Sequence, residues 1–135
     1  MMRAAAAFPK DLFAGRSVFV TGGGSGINLG IATAFVELGA GVGICGRNPE
    51  RLEGARELLV VAAGGDASRV VTAVADVRDY DAVEAALAKT EAGLGAPVST
   101  LVAGAAGNFM GAWCVCETRR RTPWRWRAVW GCGVL

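Results

Sequence analysis

Val18–Ala32 has the sequence VFVTGGGSGINLGIA: an apolar β-branched run, then a glycine cluster, then a helical pattern. A strand, a glycine turn and a helix in this order are how α/β proteins hold a nucleotide pyrophosphate. Glycine turns sharply at positive φ and, having no Cβ, lets a phosphate approach the backbone. The first amides of the helix lack intrahelical partners and point at the anion. The alternative is a glycine-rich loop that binds no ligand.

Short apolar segments alternate with helical stripes along most of the chain. Strands are predicted at Ser17–Val20, Val42–Cys45, Val70–Val74 and Val98–Val102. The second helix is predicted to begin with Asn48 as N-cap and Pro49 at its first position. Alternation of this length indicates right-handed βαβ units. The predicted fold class is therefore α/β, the N-terminal part of a Rossmann-type doubly wound parallel sheet with strand order 3-2-1-4.

The composition excludes several classes of function. The 135 residues, 53% of them hydrophobic, suit one packed domain. The absence of histidine removes Ser-His-Asp and Cys-His catalysis and most zinc sites. No apolar run reaches the roughly 18–20 residues of a membrane span, and the apolar part of Met1–Pro9 is too short for a signal peptide. A cytoplasmic protein with reduced cysteines is expected.

The glycine spacing is close to Thr-Gly-x-x-x-Gly-x-Gly, with Asn28 at the position of the last glycine. This spacing resembles the cofactor turn of the short-chain dehydrogenase/reductase family, and the resemblance covers about Leu12–Gly111. Asparagine tolerates the left-handed conformation better than other non-glycine residues, which makes the departure acceptable. The resemblance implies a pyrophosphate held by Gly22, Gly24, Ser25, Gly26 and Ile27.

The turn after the second strand bears on the choice of cofactor. In NAD-binding sheets an acidic residue there binds both ribose hydroxyls. Here the position holds Gly46, followed by Arg47, whose forked donors suit a 2′-phosphate. Arg51 lies one helical turn further on. NADP(H) is therefore the predicted cofactor, and the alternative for Arg47 is a solvated charge where the helix begins.

Two further turns follow the third and fourth strands. In similar families an aspartate at the position of Asp76 receives the adenine amino group and the next amide, that of Val77, reaches the ring. The alternative for Asp76 is a helix cap. After the fourth strand, the resemblance implies that Ala105 and Gly107 line the cofactor.

The sequence around this fourth turn points to a subgroup. The usual family sequence is Asn-Asn-Ala-Gly, whereas this chain has Ala-Gly-Ala-Ala at positions 103–106. The run Ala105–Phe109 instead resembles the subgroup containing 2,4-dienoyl-CoA reductases. There Asn108 and Phe109 would line an acyl-thioester pocket, with Asn108 helping to hold the thioester carbonyl. The alternatives are a local turn for Asn108 and ordinary packing for Phe109.

The family's Tyr-x-x-x-Lys acid–base pair is missing. The single tyrosine, Tyr80, is followed four residues later by Glu84, so no catalytic residue is assigned, and no metal site. The resemblance implies NADPH-dependent hydride transfer to an enoyl-CoA, dienoyl-CoA or carbonyl substrate, and homo-oligomeric full-length relatives. No nucleic-acid or membrane partner is expected. The alternative is a non-catalytic nucleotide-binding fragment or a misread gene product.

The chain changes character after residue 112, so residues 1–112 are the predicted NADP-binding half-domain and 113–135 an atypical tail. The tail holds all four Trp, three of the four Cys, and five Arg against one Glu, without helical or strand period. Because these residues have GC-rich codons, we hypothesise a frameshift near Met110–Trp113 and a disordered or frameshifted tail. The alternatives are nucleic-acid or membrane-surface binding through Arg and Trp, and soft-metal binding through Cys114, Cys116 and Cys132, a poor zinc pattern.

Overall fold

The computed structural model describes residues 7–105 as strands alternating with helices. The strands are β1 (Ser17–Thr21), β2 (Gly41–Gly46), β3 (Val70–Val74) and β4 (Thr100–Ala103). The helices are α1 (Gly26–Glu37), α2 (Pro49–Ala62) and α3 (Tyr80–Leu94), with a 3-10 turn at Ala67–Arg69. All pairings are parallel and the order is β3-β2-β1-β4. The predicted α/β fold and strand order are confirmed.

The core lies on both faces of the two central strands, β1 and β2. Alternate side chains of a strand point to opposite faces, so Val18 and Val20 pack in one cluster while Phe19 packs in another. The first cluster includes Leu52 and Leu59 of α2 together with residues of α1. The second includes residues of β3 and α3. This two-sided burial explains why the central strands are continuous apolar runs rather than alternating ones.

Helix ends follow the predicted capping in one case and depart from it in another. Asn48 is the N-cap of α2, and its side-chain oxygen accepts the Arg51 amide at 3.0 Å, as predicted. The N-cap of α3 is Asp79, which accepts the amides of residues 81 and 82. The alternative interpretation of Asp76 as a helix cap is therefore wrong, because Asp76 lies three residues ahead of the capping position.

The fourth strand begins two residues later than predicted, at Thr100 rather than Val98. The Val98 amide donates to the Glu91 carboxylate at 2.9 Å, so this amide is engaged by a side chain ahead of the strand. At the other end of the sheet, Thr21 is in register with both Cys45 and Ala103. The turns that follow the strands therefore meet at one edge.

One glycine of the sheet is required by close packing. A Cβ on Gly43 of β2 would overlap Thr90 Cγ2 and lie 2.6 Å from its Oγ1. Thr90 is fully buried and donates to the Ala86 carbonyl at 2.9 Å, so it has little freedom to move. Glycine at 43 thus lets α3 lie directly against the sheet.

The Arg69 side chain, just before β3, connects segments at the edge of the sheet where the strands begin. Its Nη2 donates to the Val36 carbonyl at 2.7 Å and to the Ala40 carbonyl at 2.8 Å. The first of these is near the end of α1 and the second directly precedes β2, so one guanidinium joins three segments. Among residues 7–105, no helix has both the length and the apolar surface needed to cross a bilayer.

Candidate functional site

The glycine turn after β1 combines one glycine that packing requires and one that faces open space. Gly22 has φ 70°, and a Cβ there would lie 2.9 Å from Ala105 Cα. Its amide donates to the Cys45 carbonyl at 2.8 Å. Gly26, with φ 62°, has nothing within 4 Å of where its Cβ would be. The turn is thus packed against the sheet on one side and open where α1 begins.

The beginning of α1 leaves its amides available. Ser25 is the N-cap but makes no side-chain capping hydrogen bond, and the first turn holds no acidic residue. Ile27, in this turn, is 84% exposed. Helix-start amides without partners attract anions. Gly24 lies beside α2, since a Cβ there would be 3.7 Å from Arg51 Cβ, which brings Arg51 next to the open turn.

Asn28 does not behave as the sequence predicts. It lies inside α1, and no non-glycine residue among 7–105 has positive φ, so the expected left-handed conformation is wrong. Its side-chain Nδ2 donates to the Gly104 carbonyl at 2.7 Å and to the Gly22 carbonyl at 3.3 Å. Asparagine is therefore accommodated because its side-chain amide bridges two turns. It does not adopt the left-handed backbone conformation that glycine favours.

The turns after β2 and β3 bring a guanidinium near a carboxylate. The Ala75 amide donates to the Gly46 carbonyl at 3.0 Å, which places the following residues, Arg47 and Asp76, at the same edge. Arg47 and Arg51 are exposed, and within residues 7–105 neither side chain forms an ion pair. Both guanidinium groups are therefore exposed at this edge, and Arg51 lies beside the glycine turn.

Asp76 is bound by a residue that sequence reasoning did not single out. The Arg78 side chain donates to both carboxylate oxygens, through Nε at 3.0 Å and Nη2 at 2.5 Å. This hydrogen bonding, with a smaller contribution from Arg47, lowers the pKa of Asp76 to about 2. The carboxylate is consequently an ionised acceptor at neutral pH. Val77, the next residue, is 40% exposed.

The segment after β4 is held by the end of β1. The Ala105 amide donates to Thr21 Oγ1 at 3.1 Å, which brings Ala105 beside the glycine turn. Gly107, Asn108 and Phe109 lie outside the described residues, as does the predicted tail. The sequence motifs do not predict the contact between Asn28 and Gly104. The signal for it is an asparagine at 28 combined with a glycine at 104.

Two further groups that could carry chemistry, a tyrosine and a cysteine, lie in the part of the chain described. Tyr80 is 63% exposed at the beginning of α3. Cys45 is buried, and burial raises the pKa of its thiol, which keeps it protonated. Among residues 7–105, no three His, Cys, Asp or Glu side chains group to hold a metal ion.

This sheet, with its glycine turn at the point where strand order reverses, defines an α/β protein of the dinucleotide-binding architecture. The family model described as short chain dehydrogenase matches residues 16–126. The chain belongs to the short chain dehydrogenase family.

Individual relatives refine this comparison. The chain is 36% identical over 119 residues to a peroxisomal 2,4-dienoyl-CoA reductase of Saccharomyces cerevisiae, covering 88% of this chain and 39% of the relative. It is 43% identical over 108 residues to a 3-dehydrosphinganine reductase of Arabidopsis thaliana, covering 80% and 29%. The N-domain of a bacterial malonyl-CoA reductase, solved with NADP, is similar at 33% identity and TM-score 0.64, covering 73% of this chain and 18% of that chain. The chain thus spans about a third of the length of the curated relatives.

Proposed function

We propose that the chain binds NADP(H) as the nucleotide-binding part of a reductase. The observation that carries the proposal is the pair Arg47 and Arg51. Both are exposed and have no ion-pair partner in residues 7–105, and Arg51 lies beside the open glycine turn. Guanidinium forks suit a phosphate monoester such as the 2′-phosphate. The solved relative that carries NADP in its name supports the same choice.

Each predicted residue has a role in this proposal. The pyrophosphate is held by the turn and the first amides of α1, comprising Gly22, Gly24, Ser25, Gly26 and Ile27. Asp76 accepts the adenine amino group and the Val77 amide contacts the ring. The backbones of Ala105 and Gly107 line the cofactor. When bound, NADPH would supply a hydride to the substrate.

For the full-length reductase to which this nucleotide-binding part would belong, we infer reduction of an enoyl- or dienoyl-CoA. Asn108 and Phe109 would approach the thioester. The similarity to the yeast reductase supports this class. The 43% identity to the Arabidopsis enzyme favours a second candidate, reduction of the ketone of a 3-dehydrosphinganine. The two classes differ in whether a C=C or a C=O bond accepts the hydride.

The chain as written would bind nucleotide without catalysing reduction. Its one tyrosine, Tyr80, is followed by Glu84 rather than lysine at the fourth position and protrudes from the start of α3. The proposal also includes a cytoplasmic location, a small-molecule substrate, no nucleic-acid or membrane partner, homo-oligomeric full-length relatives, and a tail at 113–135 that takes no part in the site.

Calorimetric titration of residues 1–135 with NADPH and with NADH tests the cofactor proposal. We expect NADPH to bind at least about tenfold more tightly, since one charge-assisted hydrogen bond is worth roughly 1.5–3 kcal/mol. Equal affinities would contradict it. Assays of NADPH oxidation with a dienoyl-CoA and with 3-dehydrosphinganine should show no turnover. Turnover of either substrate would refute the proposal that this chain is catalytically inactive. The substrate consumed would then identify the substrate class.

A further inference from the structure

The Asn28 side chain connects two backbone segments that are far apart in sequence. Its amide nitrogen donates to the Gly104 carbonyl at 2.7 Å and to the Gly22 carbonyl at 3.3 Å. A carboxamide NH2 group has two hydrogens, so each carbonyl can receive one of them. Asn28 therefore joins the glycine turn to the chain leaving β4.

The glycine at 104 is explained by this side chain. A Cβ on Gly104 would overlap Asn28 Oδ1 and lie 2.6 Å from its Cγ and 2.8 Å from its Nδ2, and these are its three nearest atoms. Gly104 is not among the glycines with positive φ, so conformational freedom does not require glycine there. The space that a side chain would occupy is filled by Asn28.

The same contact restrains the peptide groups of the turn. The amides of Gly22 and Gly23 donate to the Cys45 carbonyl at 2.8 and 3.3 Å, while the Gly22 carbonyl accepts from Asn28. The turn is thus held from β2 on one side and from α1 on the other. Because the Asn28 amide is directed at these carbonyls, it leaves the open beginning of α1 unobstructed.

We propose that Asn28 and Gly104 form a matched pair, and that Asn28 is a positioning residue that fixes the glycine turn in the shape that receives the nucleotide pyrophosphate. The part concerning the nucleotide rests on the proposed function, whereas the pairing rests on the contacts alone. Both members are positions at which the chain departs from the family pattern described above, and the structure brings the two departures into contact. A site whose backbone is held before binding loses less entropy on binding.

A double-mutant cycle in the 135-residue chain tests the pairing, using Asn28→Ala, Gly104→Ala and the combination. Gly104→Ala alone should lower the Tm by about 4–8 °C or more, because its Cβ overlaps Asn28. When Asn28→Ala is already present, Gly104→Ala should have less than half that effect. Gly54→Ala is the matched control, since a Cβ there meets nothing within 4 Å. Additive effects of the two substitutions would overturn the pairing.

Two readouts test the positioning role. Amide hydrogen exchange at Gly22 and Gly23, measured without nucleotide, should accelerate about tenfold in Asn28→Ala if the turn loosens. NADPH affinity by calorimetry should fall about 2- to 10-fold, the range of one neutral hydrogen bond. Asn28→Asp, which keeps the size but loses the donor, should weaken binding at least as much.

The outcomes separate this inference from the proposed function. Unchanged exchange at Gly22 and Gly23 in Asn28→Ala would overturn the positioning role whether or not the nucleotide binds. Faster exchange with unchanged NADPH affinity would also overturn it, leaving Asn28 as a packing residue. If the unmodified chain does not bind NADPH, the proposed function fails, while faster exchange in Asn28→Ala would still support positioning of the turn.

Discussion

Arg78 and Asp76 form a bidentate ion pair two residues apart, with Arg78 Nη2 2.5 Å from Asp76 Oδ2 and Nε 3.0 Å from both carboxylate oxygens. The Arg78 amide also donates to Oδ1 at 3.0 Å. The arginine thus binds the carboxylate through both backbone and side chain, and fixes its orientation at the carboxyl edge of the sheet.

Replacing Arg78 with alanine should raise the pKa of Asp76 from about 2 toward its ordinary value of 3.8. A folded-state pKa below the unfolded one stabilises the fold above the unfolded value, and this contribution is lost as pH falls toward 2. The stability difference between the two proteins should therefore be present at about pH 5 and decline through the window between these two pKa values. Carboxyl NMR titration and urea unfolding measure both effects.

An internal control is available in the same titration. Asp66, whose pKa is lowered by hydrogen bonds from Ser68, is bound independently of Arg78 and should keep its pKa. An unchanged Asp76 pKa in the Arg78→Ala protein would show that the ion pair does not form in solution.

Arg47→Ala should weaken NADPH binding while sparing NADH. The loss of one charge-assisted contact to the 2′-phosphate is worth roughly 1.5–3 kcal/mol, or about 10- to 150-fold in Kd. Arg56→Ala is the matched control, because Arg56 lies on α2 and pairs with Glu53 at 3.4 Å. An equal loss of affinity for NADPH and NADH in Arg47→Ala would show that this arginine does not contact the 2′-phosphate.

Gly43→Ala should destabilise the fold by about 1–3 kcal/mol, since its Cβ would enter the space of the buried Thr90. Adding Thr90→Ala should recover part of the loss. Gly30→Ala, in an open position of α1, should be neutral or stabilising by up to about 1 kcal/mol. Chemical denaturation measures the free energy of unfolding of each variant. An unchanged value in Gly43→Ala would mean that α3 does not pack closely against β2.

Arg69→Ala should lower the free energy of unfolding by about 1–3 kcal/mol, because the Ala40 carbonyl loses a charged donor. The Arg56→Ala control removes an exposed ion pair worth about 0–1 kcal/mol. Urea unfolding of the two variants gives the comparison. Equal losses would argue that Arg69 acts as an ordinary surface charge.

The sequence was sufficient for the fold because periodicity and turn chemistry agreed. The apolar runs at β1 to β3 and the Asn48-Pro49 helix start are local signals, and the structure has them as predicted. The beginning of β4 differs from the prediction, since the Val98 amide donates to the carboxylate of Glu91, seven residues earlier in α3. A side chain reaching back to a strand start has no periodic signature.

The candidate site was predictable where it depends on turns and less so where it depends on contacts across the sheet. Asp76 and Asp79 are equally good caps by residue type, and the position at which the chain turns into α3 decides between them. The local motif predicts a left-handed Asn28, whereas the structure pairs its side chain with Gly104, which belongs to another turn. Such pairing depends on strand order and register, which a local motif does not contain.

The adjacency of β1 and β4 has a consequence for the order of folding. β1 pairs with the last of the four strands, with Val18 opposite Thr100, and non-local pairings form slowly because a long loop must close first. During synthesis the segment through β3 leaves the ribosome before β4 does. Until β4 arrives, β1 is an apolar edge strand paired only with β2. The Thr21 hydroxyl then lacks the Ala105 amide, and the Asn28 amide lacks the Gly104 carbonyl. Docking of the fourth strand is therefore the step that completes the contacts of the glycine turn and gives β1 its second neighbour.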